Sequence, residues 1–319
     1  GRLWLHPRRC DDLAGAVDFA WNKEEEMNTL KQLFVSSRPL SWINTAFPFA
    51  AAYLMTTRQV DLTFILGTIF FLIPYNLAMY GINDVFDYES DMRNPRKGGV
   101  EGAVLDRSLH KATLWAVVIT NVPFLIYLVA VGNVDANIVL AISMFAVVAY
   151  SMKGLRFKEI PFLDSFTSST HFVSPAVYGV ILAGATFTPD LWLILNAFFL
   201  WGMASHAFGA VQDIQADREG GLKSIATVIG AANTSRFALG CYALAGVLIL
   251  SGSFFTEPTW PYWVAAATAV PYILMVWPFR NLSDADCEHA NRGWKKFLGI
   301  NFFAGFVVTM LLIFTWLNG

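Results

Sequence analysis

The feature that most constrains this chain is a series of long apolar stretches that recur along nearly its whole length. Hydrophobic residues make up 55% of its 319 positions and charged residues only 14%, whereas a soluble domain carries about 25% charged residues. A soluble fold would have to expose much of this apolar surface, so we exclude soluble globular, collagen-like and intrinsically disordered proteins. The remaining class is a polytopic helical membrane protein.

Nine of the stretches approach the roughly 20 residues that an α-helix needs to cross a bilayer. They lie at about 40–57, 62–82, 112–131, 135–152, 164–184, 190–211, 236–253, 259–279 and 297–317. The shortest connections contain Gly and Pro residues, which are typical of turns between antiparallel helices. We therefore predict an all-α protein with nine transmembrane helices.

The distribution of basic residues tests this count and gives the orientation. With a cytoplasmic N-terminus, 21 of the 22 Lys and Arg residues lie in segments on the inner side, and only Arg58 lies outside. The positive-inside rule therefore favours nine helices, a cytoplasmic N-terminus and a location in the cell membrane. We expect residues 1–30 to be an extension, disordered or foreign to the native chain, before a natural start near Met27. Residues 31–319 would form the transmembrane domain.

Two acidic clusters begin where the second and sixth predicted helices reach the inner side. The first places Asn83, Asp87 and Asp91 four residues apart, so a helix would put them on one face. Asp213 and Asp217 repeat this spacing 126 residues further along the chain, which suggests two related halves. Carboxylates this close repel one another unless a cation lies between them. Oxygen ligands of this kind indicate Mg²⁺, which completes its coordination with water and phosphate oxygens.

Basic residues follow both clusters on the same side of the membrane. They are Arg93, Arg96, Lys97, Arg218 and Lys223. A third set, at the end of the fourth predicted helix, comprises Tyr150, Lys153 and Arg156. Carboxylates that alternate with cations favour binding of a Mg²⁺-diphosphate. A single acidic cluster could be a solvated helix end, but two on one side favour a site. We assign a purely anchoring role at the inner membrane surface to Arg107, Lys111, Arg156 and Lys158.

Three motifs together resemble those of UbiA-type membrane prenyltransferases. They are N-D-x-x-D-x-x-x-D at 83–91, Tyr-x-x-Lys at 150–153 and D-x-x-x-D at 213–217. Arg38-Pro39, at the start of the first helix, is also similar to that family. Within the superfamily, residues 80–102 look like the bacterial lycopene elongases that make fifty-carbon carotenoids. The resemblance implies a UbiA-like fold, in agreement with the nine predicted helices.

The resemblance also implies roles for individual residues around two Mg²⁺ ions and a diphosphate. The metal ligands would be Asn83, Asp84, Asp87, Asp91, Asp213 and Asp217. The diphosphate contacts would be Arg38, Arg93, Arg96, Lys97 and Lys153. Tyr150 would lie near the allylic group and would share the catalytic work with Lys153 and the motif aspartates. The family pattern has Asn at many of its equivalents of Gln212, and Arg96 and Lys97 compete for one basic role.

The implied function is Mg²⁺-dependent prenyl transfer from dimethylallyl diphosphate to the ends of lycopene or a related polyene. The products would be C45 and C50 acyclic carotenoids of the flavuxanthin type. The polyene would arrive through membrane lipid, and other carotenoid-pathway enzymes are candidate partners, whereas nothing indicates nucleic acid. The alternatives are a quinone-precursor ring or a tetrapyrrole as acceptor, a carotenoid-binding subunit without activity, or a transporter. Carboxylates at one membrane face rather than at mid-depth favour the enzyme.

Three polar residues in the fifth and sixth predicted helices have both a structural and a functional interpretation. His206 lies seven residues before Asp213 and therefore on the same helix face, so it is a candidate for ending the reaction or contacting the acceptor. For His171 and His206 we favour a buried histidine bonded to a neighbouring helix. We assign Asp164 first to helix capping and second to the site.

Overall fold

The computed structural model describes residues 29–88, 92 and 105–318, and these residues form helices and no strands. Residues 29–36 are helical. The α-helices that follow are α1 (Ile43–Thr57), α2 (Leu62–Leu72), α3 (Pro74–Phe86), α4 (His110–Val131), α5 (Val134–Ser151), α6 (Leu163–Leu182), α7 (Pro189–Val211), α8 (Ile214–Glu219), α9 (Ile225–Gly252), α10 (Trp260–Ala267), α11 (Ala269–Val276) and α12 (Asn291–Asn318). The predicted extension, residues 1–30, lies almost wholly outside the described residues.

Within the described residues, seven helical spans are long and apolar enough to cross a membrane. They correspond to α2 with α3, α4, α5, α7, α9, α10 with α11, and α12. The two other predicted segments overlap α1, which has 15 residues, and α6, whose 20 residues include Asp164 and several Ser and Thr. The all-helical class is confirmed, while the count of nine and the sidedness of the N-terminus stay predictions.

The seventh predicted segment is wrong at its start, because α9 begins at Ile225 rather than near residue 236. The span that is long and apolar enough to cross a membrane also begins at Ile225, so the turns at 225–235 belong to the helix rather than to the preceding loop. Gly230 interrupts these turns with φ 80° and ψ 167°. The backbone N–H of Ala231 then donates to Oδ1 of Asp284 over 2.7 Å, so a distant carboxylate caps the helix that resumes there.

Two hydrophobic clusters divide the bundle. The first joins α1 to α6 and is built on buried aromatic rings, with Phe49 5.2 Å from Phe71 and 6.0 Å from Tyr178. The second joins α7 to α12, where the rings of Tyr242 and Tyr272 stack at 5.1 Å. Each cluster includes the helix that leads into one acidic motif, which matches the two halves suggested by the repeated spacing.

Arg58, the one basic residue predicted on the outer side, has a specific partner at the end of α12. It terminates α1 in the left-handed region at φ 54°. Its Nη1 donates to the carbonyl oxygen of Trp316 over 3.3 Å, and its guanidinium lies 5.2 Å from that ring. A cation is favourable beside helix C-terminal carbonyls and over an aromatic face, so this exception to the charge pattern ties α1 to α12.

Candidate active site

A cavity of about 1380 Å³ lies between the two halves. Its charged lining comes from helix ends and loops on the predicted inner side: Arg38, Asp87, Arg156, Lys158, Glu159, Asp213, Asp217, Glu219, Lys223 and Lys295. On α6, α7 and α12 an aromatic wall lines the cavity, formed by Phe172, Trp201, Trp294 and Phe297, and Tyr80, Phe86 and Tyr150 add rings from α3 and α5. One cavity therefore combines a polar region suited to an anion with an apolar region suited to a hydrocarbon.

The first motif enters the cavity at the end of α3. This helix ends at Phe86, with Asp87 as its C-cap, and Asp91 lies outside the described residues, so the predicted face from Asn83 to Asp91 stays a prediction. Asn83 Oδ1 accepts from Ser151 Oγ over 2.8 Å. Asp87, which caps the helix, forms ion pairs with Lys158 and with Arg156, whose Nη2 lies 3.5 Å from Asp87 Oδ1. The motif thus reaches the cavity already paired with cations.

Asp84 does not line the cavity, although Asn83 and Asp87 do. It is 1% exposed, accepts from Ser36 Oγ over 2.8 Å and pairs with Arg38 Nη2 at 3.1 Å. The guanidinium of Arg38 lies 4.3 Å from the Tyr80 ring. The cavity lining includes Arg38 but not Asp84. The structure therefore places Asp84 behind the cavity wall, where it fixes the segment before α1.

The second motif enters from the other half through a short helix. α7 ends at Val211, and Asp213 stands at the N-terminal end of α8, with Asp217 in its first turn. Both aspartates line the cavity. Gln212, between them and α7, is held by the start of α12, because its Oε1 accepts from Asn291 Nδ2. The two acidic motifs therefore meet at one cavity, as the sequence predicts.

Two cations that the sequence analysis assigned to anchoring line the cavity instead. Gly154, at φ 97°, turns the chain after α5, so Lys153 is exposed and outside the cavity lining. Arg156 and Lys158 follow the turn and point inward. Hydrogen bonding to Glu159 raises the pKa of Arg156 above its usual value. The R-x-K spacing after a turn glycine, at Gly154, Arg156 and Lys158, is the sequence signal for this placement.

Tyr150 lines the cavity at the end of α5 and has a histidine partner from the other half. Its hydroxyl oxygen lies 2.9 Å from Nε2 of His206, and His206 Nδ1 lies 3.1 Å from Ser165 Oγ. The ring of His171 packs edge-on against Tyr150 at 5.3 Å. His206 also lines the cavity. Both interpretations of His206 therefore fit: it bonds to neighbouring helices and it faces the site.

Asp164 links this cluster to the start of α9. It is fully buried; its Oδ1 accepts from the Ser165 N–H and its Oδ2 accepts from the Ile225 N–H, each over 2.7 Å. Ile225 opens α9, where backbone N–H groups need acceptors. Asp164 is thus a cap, as expected, but of a helix 61 residues away in sequence.

The carboxylates fit a metal that is shared with a phosphate rather than one enclosed by protein. In the part of the chain that the structure describes, no three Asp, Glu, His or Cys side chains form a metal cluster. Mg²⁺ is usually held by one or two carboxylates, with substrate phosphates and waters as further ligands. Asp87, Asp213 and Asp217 around one cavity suit that arrangement. The other predicted site residues lie outside the described residues: Asp91, Arg93, Arg96 and Lys97.

The model of the UbiA prenyltransferase family matches residues 45–316. The chain belongs to this family. It is 58% identical over 286 residues to the C(50) beta-cyclic carotenoids biosynthesis protein LbtBC of Dietzia sp. (strain CQ4), covering 90% of this chain and 65% of that relative. It is 53% identical over 287 residues to the lycopene elongase/hydratase of Corynebacterium glutamicum, covering 90% and 98%. This chain thus spans about two thirds of the length of the first relative and nearly all of the second.

The fold also agrees with solved UbiA structures. A UbiA homolog from Archaeoglobus fulgidus, bound to DMAPP and Mg²⁺, matches with a TM-score of 0.62 at 17% identity, over 86% of this chain and 98% of that one. A UbiA homolog from Aeropyrum pernix K1 matches with a TM-score of 0.63 at 20% identity, over 84% and 96%. At these identities the likeness establishes the fold. The family match and the two relatives confirm the predicted UbiA resemblance and a membrane prenyltransferase.

Proposed function

We propose that this UbiA prenyltransferase transfers prenyl groups from dimethylallyl diphosphate to the ends of lycopene or a related polyene, yielding C45 and C50 carotenoids. The observation that carries the proposal is the single cavity that joins paired acidic motifs to an aromatic wall. The names of the Dietzia and Corynebacterium relatives support the acceptor, and the DMAPP-bound homolog supports the donor. The enzyme would work in the cell membrane, with its acidic motifs on the cytoplasmic side.

The charged part of the cavity would hold and ionise the donor. Asp87, Asp213 and Asp217, with Asp91, would bind two Mg²⁺ ions, which stabilise the charge on the departing diphosphate. Lys158 and Arg156 would take the role that the resemblance gives to Lys153. They already face the cavity beside Asp87, and such charge-assisted contacts to phosphate are strong. Arg38 would approach the diphosphate from the segment before α1.

The aromatic wall would shelter the allylic cation from water. Trp294 and Phe297 stack at 4.5 Å, and Phe297 and Trp201 stack at 6.0 Å. Phe172 meets Trp201 at 6.5 Å, edge to face. Aromatic faces attract cations by about 0.5–2 kcal/mol, and exclusion of water prevents hydrolysis of a reactive cation. The wall would thereby direct the cation to the terminal double bond of the acceptor.

The acceptor would enter sideways from lipid, between α1 and α12. The cavity lining includes Leu40 just before α1 and Leu298 in α12, and these side chains are 53% and 40% exposed. An exposed apolar rim is what a long polyene dissolved in the bilayer would meet. A rigid polyene would have to leave and re-enter for its second end to react. Blocking this rim should stop elongation while leaving donor ionisation intact.

The test is an assay in membranes with lycopene and dimethylallyl diphosphate, with Mg²⁺ or with EDTA, followed by mass spectrometry of the extracted carotenoids. We expect a gain of one or two five-carbon units that requires Mg²⁺. Diphosphate release with a quinone-precursor ring or a tetrapyrrole, but not with lycopene, would refute the acceptor and retain the family. Absence of both product and diphosphate release would refute the proposed reaction.

A further inference from the structure

The cavity contains a hydrogen-bonded pair that donor ionisation does not require. Tyr150 and His206 both line the cavity, and their Oη and Nε2 atoms are 2.9 Å apart. Neither is a carboxylate or a permanent cation, so neither supplies the charge that a Mg²⁺-diphosphate needs. His206 lies seven residues before Asp213 on α7, about 10 Å along the helix axis from the acidic motif. The pair therefore lies between the metal-binding end and the aromatic wall.

A chain of contacts fixes the histidine in one orientation. Ser165 Oγ lies 3.1 Å from His206 Nδ1, and the Ser165 N–H donates to Asp164 over 2.7 Å. Asp164 is itself held by the N-terminus of α9. When Nδ1 donates to Ser165, Nε2 presents its lone pair to the Tyr150 hydroxyl. Such a partner on one ring nitrogen is what sets the role of the other.

We propose that Tyr150 and His206 form the proton acceptor that ends the prenyl transfer, and this inference rests on the proposed function. The acceptor's terminal double bond supplies the electrons for the new carbon–carbon bond, and the C–O electrons of the donor leave with the diphosphate. The resulting tertiary cation loses a proton from a neighbouring carbon, whose C–H electrons form the new double bond. Tyr150 Oη receives that proton while its own proton passes to His206 Nε2.

The location explains why a paired tyrosine is needed. Of the cavity carboxylates, Asp87 and Glu159 are paired with cations, and Phe172, Trp201, Trp294 and Phe297 have no lone pairs suited to accepting a proton. A tyrosine alone is a weak base, and a general base must lie within hydrogen-bond reach of the proton it removes. His206 makes the Tyr150 oxygen a usable acceptor, so Tyr150 is the catalytic residue and His206 acts through it.

The test measures which product the tertiary cation gives, an alkene or an alcohol, rather than how fast the allylic cation forms. His206→Gln keeps the capacity to hydrogen-bond Tyr150 but cannot take up a proton, and Tyr150→Phe removes the hydroxyl. Tyr242→Phe is the control, because the Tyr242 hydroxyl bonds Ser205 Oγ over 2.9 Å but does not line the cavity. Each protein is assayed with lycopene, dimethylallyl diphosphate and Mg²⁺ in H₂¹⁸O. Diphosphate release is measured separately from the carotenoid alkene and ¹⁸O-labelled alcohol.

We expect the wild type and Tyr242→Phe to form the alkene. His206→Gln and Tyr150→Phe should release diphosphate but lower the alkene-to-alcohol ratio by about 10²-fold, the lower range for general base catalysis. An unchanged ratio in His206→Gln, or ¹⁸O-labelled alcohol as the main wild-type product, would overturn the inference while leaving prenyl transfer intact. A wild type that does not elongate lycopene would refute the proposed function and this inference with it.

A variant that loses all turnover still gives an answer through chemical rescue. His206→Ala leaves space beside Tyr150 that imidazole can occupy. Restored alkene formation in imidazole, with no effect of imidazole on Tyr150→Phe, is the expected result. A folded His206→Ala protein whose product ratio does not respond to imidazole would contradict the proton-transfer role. Only a histidine that takes up a proton is expected to be replaceable by a free base.

Discussion

Arg38 Nη2 lies 3.1 Å from Oδ1 of Asp84, so an ion pair fastens the segment before α1 to the helix that carries the first acidic motif. Asp84 also accepts from Ser36 over 2.8 Å. Its carboxylate is buried, whereas the neighbouring motif residues Asn83 and Asp87 line the cavity. Adjacent residues of one motif therefore have different surroundings, and the difference can be tested by mutation.

Asp84→Asn should reduce stability more than it reduces chemistry. The change keeps the shape of the side chain but leaves Arg38 without its charged partner, and we expect a loss of about 1–3 kcal/mol. Thermal unfolding in detergent and the KM for dimethylallyl diphosphate measure the two effects. Asp135→Asn, at an exposed site in the first turn of α5, is the control. Unchanged unfolding with a lost response to Mg²⁺ would instead make Asp84 a metal ligand, as the family resemblance implies.

Asp87→Ala and Asp213→Ala should each abolish turnover while the protein stays folded. Each removes one carboxylate from the cavity, and the leaving diphosphate would lose the largest electrostatic stabilisation in the site. We expect rates to fall by at least about 10²-fold, the typical loss for one preorganised charge-stabilising group. Diphosphate release in membranes is the measurement, and Asp135→Ala again provides the control. Activity retained in both variants would show that neither Asp87 nor Asp213 is an essential metal ligand.

Lys158→Gln should weaken donor binding far more than Lys153→Gln does. Lys158 pairs with Asp87 at the cavity, whereas Lys153 is exposed beyond it. Loss of one charge-assisted contact to phosphate is worth about 1.5–3 kcal/mol, so we expect the KM for dimethylallyl diphosphate to rise by one to two orders of magnitude in Lys158→Gln. Titration of the donor at fixed lycopene gives the value. A larger rise in KM in Lys153→Gln would assign the phosphate contact to Lys153, as the motif resemblance implies.

The two lysines show where prediction from sequence stops. Helices, their apolar faces and the meeting of the two acidic motifs follow from residue spacing, because helix periodicity and bilayer thickness are local rules. Which lysine reaches the cavity depends on the turn at Gly154, where φ is 97°. That turn changes the direction of the chain, so motif spacing alone favoured Lys153 and assigned Lys158 to the membrane surface.

The start of α9 shows the same limit for a fold element. Its first turns are stabilised by Asp164 at Ile225 and by Asp284 at Ala231. Both carboxylates lie more than 50 residues away in sequence, so no local pattern reveals them. The bond between Tyr150 and His206 is likewise non-local, because it joins α5 to α7. Single-sequence reasoning identified Asp164, Tyr150 and His206 as candidates without identifying their partners, and it did not single out Asp284.

Gly230→Ala should destabilise the protein and weaken the second acidic motif. Gly230 has φ 80°, and an added Cβ would lie 2.9 Å from Oδ1 of Asp284. Asp284 also pairs with Arg218 Nη1 at 2.8 Å, on the short helix that carries Asp217. With ψ at 167°, this backbone conformation is essentially restricted to glycine and costs another residue about 1–3 kcal/mol, and displacement of Asp284 would disturb α8.

Gly240→Ala is the matched control, because Gly240 lies inside the same helix with no atom within 4 Å of an added Cβ. We expect it to leave unfolding unchanged or to raise the midpoint slightly, since Ala is the better helix former. Thermal unfolding measures stability, and the Mg²⁺ concentration for half-maximal diphosphate release measures the motif. If Gly230→Ala matches Gly240→Ala in both the unfolding midpoint and the Mg²⁺ requirement, the contact of Asp284 with α9 does not position Asp217. If stability alone falls, the contact holds the fold without reaching the metal site.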